Sequence, residues 1–117
     1  MKTLGRTSRL ILTVLARAPT HGYGVIHWVK EASGATETLG VGAVYGSIEK
    51  LEEDALIEHD HDAVEQGRSR RYFRITDAGR ARLALEISRL ATEVEAAQAA
   101  LSDAAARAPR PLTGGET

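Results

Sequence analysis

Between Gln66 and Arg82 the chain carries Arg68, Arg70, Arg71, Arg74, Arg80 and Arg82 against a single acid, Asp77. A guanidinium matches a phosphate in planar, bidentate fashion, so this concentration is the first candidate for contact with nucleic acid. The net charge of the chain is only -1, which gives no general attraction to a polyanion and makes any such binding local. The competing reading is a solvated hairpin whose arginines serve solubility. A second cluster, His59-Asp60-His61-Asp62, would on a regular strand place both histidines on one face and both aspartates on the other. Two histidines make an incomplete metal site, and further ligands from His21, His27 or a second subunit cannot be placed from sequence. No metal or other cofactor is expected; a metal-responsive regulator is the alternative. Catalysis has little support: there is no cysteine, no Walker-type glycine loop and no serine framed as a nucleophile elbow.

The element that must position the arginines is the stretch Val41 to Ile57, which reads as a helix. Val44, Ile48, Leu51 and Ala55 recur at spacings of four, three and four and form its core stripe. Opposite them near the helix start lie Gly42, Ala43, Gly46, Ser47 and Lys50, a slim face with one cation, while Glu49, Glu52, Glu53 and Asp54 crowd the second half. Such a helix could insert its first turns into a DNA groove and keep the rest away from phosphate. A plain amphipathic packing helix is the other possibility.

From the start of the chain, Thr7 or Ser8 is a candidate N-cap for a helix to about Arg17, with Leu10, Ile11, Val14 and Leu15 on its face and Pro19 stopping it. Thr20 can cap a second helix to about Ser33, closed by Gly34, with Gly22, Val25, Ile26, Val29 and Ala32 on one side and Trp28 beside that stripe. Ala35 to Gly40 is a loop. After the third helix the period changes: Ile57 to Val64 has no helical stripe, Glu65 to Arg68 supplies a turn, and Arg71, Phe73 and Ile75 alternate with Tyr72 and Arg74. Three short helices followed by a hairpin make a winged helix-turn-helix, and an arginine-rich wing suits phosphate contact or minor-groove insertion.

Thr76 is the N-cap of a last helix, with Asp77 favourable at its positive end. Leu83, Ile87, Leu90, Val94, Ala97 and Leu101 then repeat at four, three, four, three, four, a heptad seam with no second long helix in the chain to cover it. The same helix in a second copy is the economical partner; folding back onto its own chain is the alternative. The fold class expected is therefore mostly α with a small β-hairpin: a winged helix-turn-helix over 1–76, a C-terminal dimerisation helix over 77–107, and a disordered tail over 108–117. A chain of 117 residues with 43% hydrophobic residues suits one modest core, and without cysteine no disulfide can staple it, which leaves oligomerisation as the source of extra stability. The longest apolar run, Leu10 to Ala16, is too short to span a bilayer and no leader precedes it, so a cytoplasmic protein without membrane contact is expected.

Residues from about Leu10 to Leu101 resemble the PadR family of transcriptional regulators, in particular its short subfamily with one C-terminal helix. The strings that carry the resemblance are His21-Gly22-Tyr23-Gly24, Gly42-Ala43-Val44-Tyr45, Leu51-Glu52-Glu53-Asp54-Ala55-Leu56-Ile57 and Arg70-Arg71-Tyr72-Phe73-Arg74-Ile75-Thr76-Asp77-Ala78-Gly79. The resemblance implies a winged helix-turn-helix homodimer, usually a repressor, with any effector at or near the dimer interface; its two-fold symmetry would be mirrored in double-stranded DNA as a pseudo-palindromic operator. It assigns Tyr45 to DNA-backbone contact, with a purely structural tyrosine as the alternative. His21 and Tyr23 could meet phosphate at the start of the second helix, or be a capping histidine and a packed ring. Ala55 stands where the family usually has glycine, which puts the left-handed cap of the third helix in question. His27-Trp28 stands where charged residues are usual. A planar aromatic effector stacking on Trp28 is the regulatory expectation, against a partly buried core tryptophan. A winged helix that binds protein and no DNA is the remaining alternative.

Overall fold

A computed structural model describes residues 3–34, 36 and 38–107. Its elements follow in the order α1 (Arg6–Arg17), α2 (Gly22–Ala32), α3 (Val41–Glu53), β1 (Ile57–Glu65), β2 (Arg68–Ile75) and α4 (Asp77–Arg107). The mostly helical winged helix-turn-helix is thus present as expected. The expected tail, 108–117, lies outside the described residues.

The helices bury the stripes that their periodicity marks. Ile11, Leu12, Val14 and Leu15 of α1, Val25 and Val29 of α2, and Val44, Ile48 and Leu51 of α3 share one core with Leu39, Ile57, Phe73, Ile75 and Leu83. Each large aliphatic or aromatic side chain so buried contributes about 1.5–3 kcal/mol. Two caps differ from expectation. The α1 ladder already begins with the Arg9 N–H donating to the Gly5 carbonyl at 2.9 Å, so Gly5 is the N-cap and Thr7 and Ser8 lie inside the helix. Thr20 is extended and exchanges backbone hydrogen bonds with Phe73 at 3.2 and 2.9 Å, so the α2 cap passes to His21.

α3 ends at Glu53, before the expected Ile57. The Leu56 N–H donates to the Leu51 carbonyl and the Ala55 N–H to the Glu52 carbonyl, each at 3.0 Å, which together make a Schellman turn. Ala55 sits in it at φ +59, so the left-handed cap forms without a glycine, and Ala55 is exposed instead of continuing the core stripe. Thr76 binds this turn to α4. Its N–H donates to the Leu56 carbonyl at 3.1 Å, its hydroxyl donates to the Ala55 carbonyl at 2.8 Å, and the same oxygen accepts the Gly79 N–H at 3.0 Å as the expected N-cap. Gly79 has no room for a side chain, because a Cβ there would meet the Leu56 carbonyl oxygen and fall 2.7 Å from Ile75 Cγ1.

The hairpin turns through Gln66 and Gly67, both at positive φ (51 and 77), the signature of a two-residue type I′ connection. Its register pairs Glu65 with Arg68 at the tip and Ile57 with Ile75 at the base. His59 opposes Phe73 and His61 opposes Tyr72, so Asp60 is an extra residue in β1. This bulge overturns the expected alternation of histidines and aspartates. His59 Nε2 pairs with Asp62 at 2.9 Å and His61 Nδ1 with Asp60 at 2.6 Å, and each histidine thereby acquires its own carboxylate.

The chain divides into two compact units, the first ending at Glu86 and the second beginning at Ile87. In the first, the opening turns of α4 bury Leu83 and also Glu86, which is 1% exposed. The Glu86 carboxylate accepts from Arg82 Nη1 at 3.4 Å and from the Leu4 N–H at 3.5 Å. In the second, Ile87, Val94 and Leu101 are 53–73% exposed, Ala97 is exposed and Leu90 is half-buried. Leu83, expected on the seam with them, belongs to the core of its own chain. No described helix is long and apolar enough to cross a membrane.

Candidate nucleic-acid interface

Three elements meet where α2 begins, and small residues let them close. The Tyr45 ring of α3 lies over Gly22, where an added Cβ would fall 2.6 Å from the ring. Tyr23 meets Tyr45 edge to face at 6.1 Å, and the Arg70 guanidinium of β2 stands over the other ring of this pair, 4.8 Å from the Tyr23 centroid. Burial, and then the neighbouring Tyr23, push the Tyr45 phenol above its ordinary pKa, so its hydroxyl stays protonated and able to donate. Tyr45 nevertheless keeps 42% of its surface open. A ring that packs while its edge remains accessible can present a hydroxyl to an incoming backbone.

His21 takes the capping alternative. Its Nδ1 accepts the Gly24 N–H at 3.1 Å, which leaves the proton on Nε2, 3.4 Å from Glu65 Oε1. Both ring nitrogens are engaged inside the protein, so this imidazole caps α2 and positions it against the wing. Glu65 is the other half of the device: its second oxygen accepts the Tyr72 hydroxyl, and the His21 and Tyr72 rings meet edge to face at 5.0 Å. A carboxylate at the end of β1 thus ties the wing tip to the start of α2. Desolvation lowers the His21 pKa first, with Arg70 adding to it and Glu65 opposing.

The wing arginines divide by partner. Arg74 is held by Glu58 at 2.8 Å and Asp60 at 3.1 Å, and the Asp60 carboxyl is kept below its usual range by hydrogen bonds from His61 and Arg74. Arg71 reaches Glu52 of α3 at 3.5 Å. Arg70 stacks on Tyr23 and its Nε is buried without a partner among the described residues. Arg68, beside the turn, is exposed and has no carboxylate partner among the described residues. Between α3 and β2 a cleft of about 400 Å³ is lined by His21, Tyr45, Ile48, Glu49, Glu52, Ser69, Arg70, Arg71 and Phe73. Cations and acids face each other across it. Glu52, Glu58 and Glu65 are the residues that sequence reasoning did not single out, because their partners lie between seven and 44 positions away and no local spacing marks them.

A sequence profile of the transcriptional regulator PadR-like family matches residues 11–85. The chain belongs to this family. An uncharacterized 37.1 kDa protein in transposon TN4556 of Streptomyces fradiae is 37% identical over 82 residues, 70% of this chain; the chain spans only 22% of that protein's length. Among solved structures, a PadR family transcription regulator from Clostridium difficile R20291 superposes with a TM-score of 0.68 at 23% identity, covering 83% of this chain and 99% of that one. Bacillus subtilis PadR in complex with operator DNA gives 0.59 at 20% identity, covering 68% and 45% respectively. At such identities the likeness speaks to the fold.

The strings that carry the PadR resemblance prove to be contact points. His21 caps α2, Gly22 admits the Tyr45 ring, the Leu51 to Leu56 segment forms the Schellman turn, and Thr76 with Gly79 docks α4 onto it. On the outer face of α3, Gly42, Ala43, Gly46 and Lys50 are exposed and Ser47 is half-buried, and a Cβ at Gly42 or Gly46 would meet nothing within 4 Å. Lys50 lies 3.8 Å from Asp54, so its charge is partly met. Trp28 packs partly buried against the core with the Arg17 guanidinium 5.6 Å over its ring. Trp28 also borders an apolar hollow of about 270 Å³ lined by Arg6, Leu10, Val29, Ala32 and Ser33.

Proposed function

We propose that this PadR-like regulator is a repressor that binds double-stranded DNA of specific sequence as a homodimer. The observation that carries the reading is the outer face of α3, where Gly42 and Gly46 stand in open space on the helix that also presents the accessible edge of Tyr45, with Arg68 of the wing exposed and without a carboxylate partner among the described residues. A slim, unobstructed helix flanked by groups that donate hydrogen bonds to phosphate is what a major groove admits. That a protein of the same fold, PadR of Bacillus subtilis, is solved with operator DNA supports it. In this reading Gly42, Ala43, Gly46, Ser47 and Lys50 face base edges or the adjoining backbone, Tyr45, Arg68 and Arg70 hold phosphates with Tyr23 bracing them, and Arg71 is drawn to phosphate from its ion pair.

Residues 1–76 carry the DNA contacts and the helix 77–107 carries dimerisation through Ile87, Leu90, Val94, Ala97 and Leu101. Two-fold symmetry then calls for a pseudo-palindromic operator with half-sites about one helical turn, or a multiple of it, apart. A planar aromatic effector in the hollow beside Trp28 would release the repressor only through unequal affinity for the two arrangements of the dimer. The deciding experiment is to sequence the fragments that the purified protein selects from its own genome, and then to measure binding of the selected duplex against salt. Selected fragments sharing an inverted repeat support the reading.

The neutralisation of Arg71 and Arg74 by acids favours one rival, a winged helix that binds protein and no DNA. Replacing Arg68 and Arg70 by alanine separates the two: on DNA it flattens the salt slope by about two units. An unchanged slope removes the wing from the interface.

A further inference from the structure

Arg71 of β2 is exposed to 57% of its side chain, yet its Nη2 is turned towards the neighbouring helix, 3.5 Å from Glu52 Oε2. Glu52 is the less exposed partner at 30% and sits in the last turn of α3. The Arg71 guanidinium also lies 5.1 Å from the Phe73 ring, so it is drawn against the wing base. Both residues line the cleft between α3 and β2, with Tyr45, Ser69 and Arg70 on its walls. A carboxylate that accepts from a guanidinium offers the same ligand chemistry as a phosphate oxygen.

We propose that Glu52 is a built-in competitor for the nucleic-acid backbone: it occupies Arg71 in the free protein, and engagement of the wing exchanges this carboxylate for a phosphate. The inference rests on the DNA-binding reading above. The geometry grades the wing. Arg68 carries no acid partner among the described residues, whereas Arg74 is neutralised by two acids of its own hairpin at 2.8 and 3.1 Å and is the hardest to release. Arg71 stands between them, on one long, half-exposed pair, and such a pair is weak enough to be exchanged. Glu52 therefore acts through Arg71 as a positioning residue that holds down affinity for any duplex.

The test uses the full chain and Glu52→Gln, Arg71→Ala and the double variant, with Glu52→Ala as a second choice should the glutamine variant melt early. Each is titrated with the selected operator and with a duplex of scrambled sequence over a range of salt. Glu52→Gln should tighten both complexes about two- to fivefold, the worth of an exposed pair, and the double variant should bind as Arg71→Ala does. A gain that persists without Arg71 reflects distant charge alone and overturns the exchange; so does no gain, or a loss. Elution from immobilised heparin, a sulfated chain without bases, reads the same exchange independently: Glu52→Gln should elute at higher salt, and Arg71→Ala should cancel the shift. If the parent binds operator while Glu52→Gln changes neither readout, the exchange fails and the DNA reading stands. If heparin responds as expected but no duplex binds, the DNA reading fails and the competitor role stands.

Discussion

The Tyr45 ring and Gly22 occupy one another's only space: a Cβ on Gly22 would fall 2.6 Å from the ring carbon that bears the hydroxyl. Gly22→Ala must therefore displace Tyr45 and, with it, the edge contact to Tyr23. Overpacking of this kind costs about 1–3 kcal/mol. Thermal denaturation should show the loss, and Tyr45→Ala in the same chain should recover most of it. A Gly22→Ala protein as stable as the parent would contradict the packing.

Ala55 holds the left-handed position of the α3 Schellman turn at φ +59. A side chain there is strained by roughly 1–2 kcal/mol, which a glycine relieves at some cost in chain entropy. Ala55→Gly is expected to stabilise the protein by about 0.5–1 kcal/mol. The measurement is the shift in denaturant midpoint at constant slope.

His21 is the pH-sensitive group of the interface, because burial lowers its pKa below the ordinary 6.5. A group whose folded pKa is depressed binds fewer protons in the native than in the unfolded state, so its stability is fully present above 6.5 and is lost as pH falls through the folded value. Protonation also converts Nδ1 from the acceptor of the Gly24 N–H into a donor, which abolishes the cap. Denaturation midpoints should fall as pH drops below 6.5, and His21→Asn, which caps without titrating, should flatten that part of the profile. A parent and variant with parallel profiles would exclude His21 as the origin.

Leu90→Asp together with Val94→Asp should give folded monomers or unfolded chains in sedimentation velocity, since the half-buried Leu90 and the exposed Val94 lie on the seam of α4 proposed to pair. Leu83→Asp is expected to behave differently and unfold the protein outright, because Leu83 is 8% exposed within the core. A double variant that sediments as a folded dimer would place the dimer contact elsewhere.

Local periodicity was enough to read the helices, the hairpin and most of the core from the sequence. Spacings of three and four mark Ile11, Val25, Val44 and Leu51 as buried, and Thr76 before Asp77 marks a helix start, because each signal depends only on neighbours within a turn or two. The position of the turn around Gln66-Gly67 and the split of the chain's charge towards the wing were legible for the same reason, whereas the type of the turn came from the positive φ at both residues. What required the tertiary structure is every feature in which two distant segments compete for one place. His21 and Glu65 are 44 positions apart, and only their approach shows that the imidazole braces the wing. The pairing of Arg71 with Glu52, the bulge at Asp60 and the tolerance of Ala55 at positive φ follow from how β2, β1 and α4 dock against α3, as does the burial of Leu83 in its own core. Composition counts the arginines of the wing; distance to the nearest carboxylate decides which of them still carry free charge.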